Sequence, residues 1–360
     1  MLAFFAFVAA VGSAWLCFAL RRMCRRLSNE SHVIVGTSAG ERHVPRSMRP
    51  CYFVSKATKL AIYYRKWPAK TQEGLADVFL LHGIGDHLGR YEHVAEALAD
   101  AGYNVFALDQ QGRGRSEGER FYFARFDHMV QDTIQFVDLV GSGLQGKSPR
   151  PHFLLGHSMG GLLAILVAAC SQDRWAGLII TASALHVPVS FSPLAIRLLR
   201  WLSKHFPKLL VLPPGPPHLL SRDRAVVEAF QNDPLVHHGR RHVRVLEEVF
   251  DSMARALAFA PSLTIPCLCL HSKADRICLL SGSQAFIEAA SSKDKRLVVY
   301  DHALHELYNE PEQEMAIKEV TTWLHQTLQS ILGQKREGVP RASPSGGARR
   351  RLARSPRGAR

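Results

Sequence analysis

Residues 156–161 read Gly-His-Ser-Met-Gly-Gly and form a G-x-S-x-G pattern around Ser158. An apolar run at 153–155 precedes the pattern, and a small, apolar stretch at 162–169 follows it. This order predicts a strand, a sharp turn and a helix, with the serine hydroxyl raised at the turn. Ser158 is therefore the candidate nucleophile. The alternative is a glycine-rich turn with an incidental serine, and the flanking patterns argue against it.

A serine hydroxyl needs a base to remove its proton, and the base needs a carboxylate to orient it. In folds that use this turn, the acid and the histidine follow the serine in that order. Asp275 follows a predicted strand and is the candidate acid. The loop after the next strand holds His302 and His305, which spacing alone does not separate. Asp294 and Asp301 are weaker acids, because they lie too close to that loop to reach it from a neighbouring strand.

Two backbone N–H groups are candidates for stabilising an oxyanion. The N–H of Met159 begins the predicted helix, where such groups have no partner in the preceding turn. The second is expected from the loop after an early strand, and residues 82–84, His-Gly-Ile, follow the apolar run at 78–81. We assign this role to the Ile84 N–H. Each donor would stabilise the transition state by about 3 kcal/mol.

Strands and helices alternate along most of the chain, which predicts a mainly parallel sheet covered by helices on both faces. Together with the serine turn, this predicts an α/β-hydrolase fold over residues 51–333. An antiparallel hairpin within 51–67 begins it. The other predicted strands are 78–81, 104–108, 153–155, 175–181, 265–270 and 296–300, and the predicted helices are 91–101, 126–140, 281–290 and 312–332.

The alternation stops between about 185 and 261, where prolines are dense. We interpret this segment as a helical cap inserted into the sheet domain. One basic helix in it carries an apolar stripe that either packs against the core or contacts lipid as a lid. The stripe consists of Leu194, Ile196, Leu198, Leu199, Trp201 and Leu202.

The two ends of the chain differ from its centre. Residues 2–20 carry no charge, would span ~29 Å as a helix, and precede four arginines within 21–26. We expect residues 1–27 to form a transmembrane anchor with the body in the cytosol; a cleaved signal and a buried helix are the alternatives. Residues 28–50 are predicted to be a linker, and 334–360 a disordered basic tail.

Composition excludes two function classes. The chain has a net charge of +14, but residues 1–50 contribute +5 and residues 335–360 contribute +8, so the centre is nearly neutral. A basic groove for nucleic acid is therefore not expected. The seven cysteines include no C-x-x-C pair. Neither a disulfide framework nor a metal site is predicted.

Together these segments resemble the monoacylglycerol lipase and lysophospholipase group of serine hydrolases. The resemblance covers about residues 52–332. It implies a cap over an apolar acyl tunnel and no cofactor, selects His305 over His302 and supports Asp275. The segments that carry it are 82–87 (His-Gly-Ile-Gly-Asp-His), 89–91 (Gly-Arg-Tyr), 109–118, 156–161, 232–235 (Asn-Asp-Pro-Leu), 274–278 (Ala-Asp-Arg-Ile-Cys) and the residues around His305.

Some positions depart from the monoacylglycerol lipases. Phe230 stands where those enzymes carry a tyrosine, and Tyr308 where they carry a second histidine. Both positions belong to polar recognition of the glycerol head group in that family. Arg90 matches the family and is a candidate head-group contact, or else a solvated loop arginine. Cys278 follows the acid and either lies near the site or fills space as a small apolar thiol.

We therefore expect a membrane-tethered serine hydrolase that cleaves the carboxylic ester of a single-chain lipid, with monoacylglycerol as the leading substrate. The same machinery would also serve a lysophospholipase, a general carboxylesterase or an acyltransferase. The alternative from a different class is a catalytically silent, membrane-tethered scaffold. The intact set of Ser158, Asp275 and His305 argues against the scaffold.

Overall fold

An eight-stranded sheet forms the centre of the described part of the chain, which in this computed structural model comprises residues 51–71, 74–142, 150–189, 191–213 and 215–337. Its strand order is β1-β2-β4-β3-β5-β6-β9-β10. Strand β2 pairs antiparallel with both β1 and β4, and every later pair in this order is parallel. The strands are β1 Tyr52–Val54, β2 Ala61–Trp67, β3 Asp77–Leu81, β4 Asn104–Leu108, β5 His152–His157, β6 Gly177–Thr181, β9 Cys267–Ser272 and β10 Lys295–Tyr300.

The central strands are short apolar runs because both faces of the sheet are covered. Every residue of β3, β4 and β6 is buried, as expected for parallel strands between two layers of helices. The predicted α/β-hydrolase fold with a mainly parallel sheet is confirmed. The predicted hairpin at the edge corresponds to β1 and β2.

Helices on the two faces produce two separate hydrophobic clusters. One cluster contains residues 162–168 of a helix that is buried along almost its whole length. The other contains Leu98, Trp323 and Leu324. The helices outside the cap are α1 Glu92–Asp100, α2 Phe126–Ser142, α3 Met159–Cys170, α7 Leu280–Ala289 and α8 Gln313–Glu337.

The segment between β6 and β9 forms the cap. The sequence predicts a helical cap, but the structure shows that the cap also contains strands. Besides three helices it contains an antiparallel ribbon of two short strands. Its last helix supplies Val245, Met253 and Ala256 to the first hydrophobic cluster, so part of the cap belongs to the core. The cap elements are α4 Pro193–His205, β7 Leu210–Leu212, α5 Arg224–Asn232, β8 Arg241–His242 and α6 Val243–Phe259.

Helix α4 is the predicted basic helix with the apolar stripe. Ser192 accepts a hydrogen bond from the Ala195 N–H and Pro193 occupies the first turn, both typical of a helix start. Leu202 is buried, but Leu194 and Trp201 are 74% and 52% exposed. The stripe therefore packs against the core only in part and leaves an apolar face in solvent.

Helix α8 continues to Glu337, past the domain end predicted at 333. Gly333 does not end it, because the residues that follow are good helix formers. The disordered tail predicted at 334–360 is therefore wrong for residues 334–337, which belong to α8. The rest of that tail, the predicted anchor at 1–27 and the predicted linker at 28–50 lie outside the described residues. Among the helices that the structure describes, none is long and apolar enough to cross a membrane.

Candidate active site

Ser158 lies on the turn between β5 and α3 with a backbone φ of +54°. This left-handed conformation is costly for a residue with a side chain, and it persists only where the surroundings impose it. A Cβ at Gly156 would lie 2.2 Å from the Gly160 oxygen, and one at Gly160 would lie 2.1 Å from the Leu81 oxygen. The two glycines therefore allow α3 to pack directly against the strands that support Ser158.

The structure brings Ser158, His305 and Asp275 into one chain of hydrogen bonds. The Ser158 hydroxyl donates to His305 Nε2 over 3.0 Å, and His305 Nδ1 donates to Asp275 Oδ2 over 2.8 Å. All three side chains are buried. They meet because β5, β9 and β10 are parallel and end at the same edge of the sheet.

His302, which spacing alone left open, does not reach this site. It is exposed on the same loop. Its neighbour Asp301, a weaker acid candidate, is also exposed and pairs with Lys273 over 2.6 Å. The tertiary structure thus separates His305 from His302 by burial and by contact with Ser158.

Backbone and side-chain donors hold Asp275 in place. Its Oδ1 accepts hydrogen bonds from the N–H groups of Ile277 and Cys278 at 2.8 and 3.0 Å. His271, fully buried on β9, lies 3.4 Å from Oδ2 and is fixed by the Ser283 hydroxyl and the Cys278 carbonyl. Sequence reasoning missed His271; the available signal was a histidine at the end of a buried strand.

Burial and the contacts between Asp275 and His305 have opposite effects on the pKa values of these two residues. Burial alone would raise the pKa of Asp275, but the attraction of His305 and the hydrogen bonds to Asp275 hold that pKa well below its ordinary value. Burial alone would lower the pKa of His305, but the Asp275 carboxylate beside it raises that pKa above its ordinary value. Asp275 is therefore ionised and stabilises a protonated His305.

The loop after β3 lies against the nucleophile. A Cβ at Gly83 would be 3.4 Å from the Ser158 Cβ, and Ile84 lines the same cavity as Ser158. Within the described residues, neither the Ile84 N–H nor the Met159 N–H has a hydrogen-bond partner. His82 braces the loop by accepting the Gln110 N–H over 3.0 Å. The oxyanion role of the two N–H groups stays a prediction.

A cavity of about 390 Å³ opens beside Ser158 and His305. Its walls combine the loop after β3 with cap residues from 215–220, 230–231 and 237–241. A larger cavity of about 810 Å³ lies at the opposite, amino ends of the strands and contains none of these groups. Only the smaller cavity places a bound molecule next to the nucleophile.

Comparisons with known proteins agree with this geometry. Residues 72–312 match the family described as serine aminopeptidase S33. The chain is 33% identical over 269 residues to a monoacylglycerol lipase of Mycolicibacterium smegmatis, covering 73% of this chain and 92% of that protein. It is 36% identical over 285 residues to the monoglyceride lipase of Homo sapiens, covering 79% and 90%. The chain belongs to the monoacylglycerol lipase-like α/β-hydrolases.

Solved structures of this fold are also similar. The crystal structure of Paleococcus ferrophilus monoacylglycerol lipase matches with a TM-score of 0.65 at 32% identity, over 74% of this chain and 99% of that one. A soluble variant of the Saccharomyces cerevisiae monoglyceride lipase, in complex with a substrate analog, matches with a TM-score of 0.68 at 22% identity, over 74% and 92%. As a member of this family the chain is a serine ester hydrolase.

In this monoacylglycerol lipase-like enzyme, Arg90 is not a solvated arginine, and its contact with a head group stays a prediction. Its Nε lies 3.0 Å from Asp86 Oδ1, and its Nη2 pairs with Glu306. The guanidinium stacks on Phe230, 4.8 Å from the ring centroid. Asp86, Phe230 and Glu306 line the cavity, whereas Arg90 lies behind them. Arg90 therefore positions the wall of the site.

The structure shows different positions for Phe230, Tyr308 and Cys278 relative to the cavity. Phe230 lines the cavity, but Tyr308 is buried in the second hydrophobic cluster and does not. The Cys278 side chain is buried and interacts with the Ser158 side chain. Burial raises the pKa of the Cys278 thiol well above its ordinary value. Cys278 is thus near the nucleophile but is held as a neutral thiol.

Proposed function

We propose that this enzyme hydrolyses monoacylglycerols to a fatty acid and glycerol. The observation that carries the proposal is the hydrogen-bonded chain of Asp275, His305 and Ser158, which opens into a cavity whose cap wall includes apolar residues such as Leu220 and Phe230. Relatives named monoacylglycerol or monoglyceride lipase, which the chain matches over most of their length, support the choice of substrate.

Acylation follows from the geometry. His305 Nε2 removes the Ser158 proton as Oγ attacks the ester carbonyl, and Asp275 stabilises the resulting imidazolium. The Ile84 and Met159 N–H groups donate to the oxyanion of the tetrahedral intermediate. When the acyl–oxygen bond breaks, the glycerol oxygen leaves with the proton from His305.

Deacylation repeats these steps with water. His305 removes a proton from the water, whose oxygen attacks the acyl carbon, and then returns the proton to Ser158 Oγ. The fatty acid is released and the free enzyme is restored. An acyl chain bound against the apolar cavity wall contributes about 0.8 kcal/mol per buried CH₂ group, which favours lipid esters over small ones.

The test measures fatty-acid release from 1-oleoylglycerol by the purified protein and by Ser158→Ala. We expect activity in the wild type and a loss of about a thousandfold or more in the variant. The matched control is Ser291→Ala, an exposed serine far from the site, which should retain activity. Equal activity in all three proteins, or none in the wild type, would contradict the proposal.

We further propose that the enzyme is tethered to a membrane with its catalytic domain in the cytosol. The support is the uncharged stretch at 2–20 followed by arginines, and the exposed apolar residues of basic helix α4. Protease added to sealed vesicles from expressing cells should digest the body from the cytosolic side. Digestion only after entry to the lumen would reverse the orientation, and recovery in the soluble fraction would reject the tether.

A further inference from the structure

Arg241 lines the active-site cavity from the cap ribbon strand β8. It is the only lysine or arginine among the described residues that line this cavity. Within the described residues, its guanidinium forms no ion pair and no hydrogen bond. A partly buried cation beside a reaction centre, without an acidic partner, is unusual, since buried charges are normally paired.

The surroundings of Arg241 concentrate positive charge. Its guanidinium carbon lies 5.5 Å from the centroid of the Phe121 ring, and that of the fully buried Arg113 lies 5.2 Å from the same centroid. Burial lowers the pKa of Arg241. Burial, together with repulsion from Arg241 and Arg120, also lowers the pKa of Arg113. An aromatic ring attracts these cations but does not neutralise them.

The other charged groups of the cavity do not supply the missing anion. Asp86 and Glu306 are both occupied by Arg90 on another part of the wall. His237 stacks on Phe121 at 4.4 Å between ring centroids. Burial and the nearby arginines keep the pKa of His237 below its ordinary value. The cavity therefore has one side where two carboxylates pair with Arg90 and another side where Arg241 has no acidic partner.

Arg241 shares its cavity with the reacting groups, since it lines the same cavity as Ser158 and His305. An anion held by Arg241 would thus lie in the cavity where Ser158 attacks the ester carbonyl. The leaving alcohol meets this requirement, because a phosphate on glycerol is separated from the acyl oxygen by a short carbon chain. The far end of a long acyl chain does not.

We propose that Arg241 binds a phosphate on the alcohol part of the substrate, so that the enzyme accepts single-chain acylglycerols whose glycerol carries a phosphate. This inference rests on the ester hydrolysis proposed above and extends it to a substrate class. Water still cleaves the acyl–oxygen bond: the acyl carbon gains its OH, the glycerol oxygen gains its proton, and the phosphate ester stays intact. The products are a fatty acid and glycerol phosphate.

The first experiment compares kcat/KM for 1-oleoyl-lysophosphatidic acid and for 1-oleoylglycerol in uncharged detergent micelles. Removing one charged hydrogen bond in Arg241→Gln should lower the ratio of the two values about ten- to a hundredfold. Arg241→Lys should retain part of it. Arg224→Gln, an exposed cap arginine outside the cavity wall, removes the same net charge and should leave the ratio unchanged.

The second experiment does not depend on turnover. Glycerol 3-phosphate should slow the labelling of Ser158 by a fluorophosphonate in the wild type but not in Arg241→Gln, and glycerol at the same concentration should slow neither. Equal protection by inorganic phosphate would indicate an adventitious anion site and overturn the inference.

The outcomes separate the two proposals. If Arg241→Gln lowers activity equally on both lipids, or glycerol 3-phosphate gives no protection, the phosphate site is wrong while monoacylglycerol hydrolysis stands. If the wild type releases fatty acid from neither lipid, the proposed hydrolysis fails. Protection by glycerol 3-phosphate that depends on Arg241 would still support the anion site in that case.

Discussion

At the scale of single residues, the site depends on how Asp275 and His305 share charge in a buried place. The carboxylate is ionised although it is buried, because it receives hydrogen bonds from two backbone N–H groups and from His305. The imidazole of His305 gains a proton more easily than a free histidine, because the Asp275 carboxylate beside it outweighs the effect of burial and raises its pKa. His305 acts as a base only when neutral, so activity should fall as the pH drops through its raised pKa.

Asp275→Asn tests this coupling. The amide keeps the shape but cannot stabilise the imidazolium, so kcat should fall by about 10⁴-fold. Because Asp275 raises the pKa of His305, its removal should move the acid limb of the kcat/KM profile to lower pH. The pH profile of residual activity measures this shift.

Asp301→Asn is the matched control for that variant. Asp301 is exposed and pairs only with the exposed Lys273 among the described residues, so both kcat and the acid limb should stay where they are in the wild type. An unmoved acid limb in Asp275→Asn would mean that another group governs the low-pH loss of activity.

At the scale of elements, the nucleophile turn requires helix α3 to lie directly on the strands. The Leu81 oxygen of β3 occupies the space that a side chain at Gly160 would need. The helix is buried from Met159 to Ala168, so it cannot move outward without disturbing the first hydrophobic cluster. Backbone contact, rather than side-chain packing, therefore sets the position of Ser158.

Gly160→Ala should destabilise the fold and misplace Ser158. A Cβ 2.1 Å from the Leu81 oxygen forces the helix and strand apart, which should lower the free energy of unfolding by about 1–3 kcal/mol. Urea denaturation measures the loss, and the rate of fluorophosphonate labelling reports the position of the nucleophile.

Gly333→Ala provides the opposite case within helix α8. A Cβ there meets nothing within 4 Å, and alanine favours a helix by about 0.5–1 kcal/mol relative to glycine. This variant should be as stable as the wild type or more so, with unchanged labelling. A Gly160→Ala protein that behaved like Gly333→Ala would contradict the close-approach argument.

At the scale of the whole molecule, one buried ion network joins distant parts of the chain. Arg90 follows β3, and its partners Asp86 and Glu306 come from the same loop and from the loop after β10. Glu306 is buried, and burial raises its pKa although Arg90 and His305 act against that rise. The network therefore secures the loop that carries His305 against the loop that carries Ile84.

Arg90→Met should weaken the whole fold by about 3–5 kcal/mol, because it leaves two buried carboxylates without their cation. Without Arg90 the folded-state pKa values of these carboxylates should rise above the unfolded values, so the loss should be larger at pH 8 than at pH 5, where protonation relieves it. Thermal unfolding at both pH values measures this. The control is Arg65→Met, whose ion pair with Glu92 is partly exposed, at 35% and 44% of the two side chains; it should change stability by less than about 1 kcal/mol. Equal losses at the two pH values would contradict the network argument.

The sequence by itself determined the features that depend on neighbouring residues along the chain. Ser158 was recognisable because its turn needs glycines, an apolar strand and a helix in direct succession. The buried strands β3, β4 and β6 were recognisable because two-sided burial demands a continuous apolar run. These features can be recognised in the sequence without knowledge of the fold, because local backbone geometry and the exclusion of solvent produce them.

Only the tertiary structure decided features that depend on residues far apart in the chain. His302 and His305 are equivalent by spacing; the family resemblance selects His305, but only the contacts with Ser158 and Asp275 give the physical reason. The sequence did not reveal the ion pair of Arg90 with Glu306, because Glu306 lies 216 residues away. Arg241 carried no local signal at all. Whether a charged side chain has a partner of opposite charge depends on which residues lie near it in three dimensions. The order of residues along the chain does not show this.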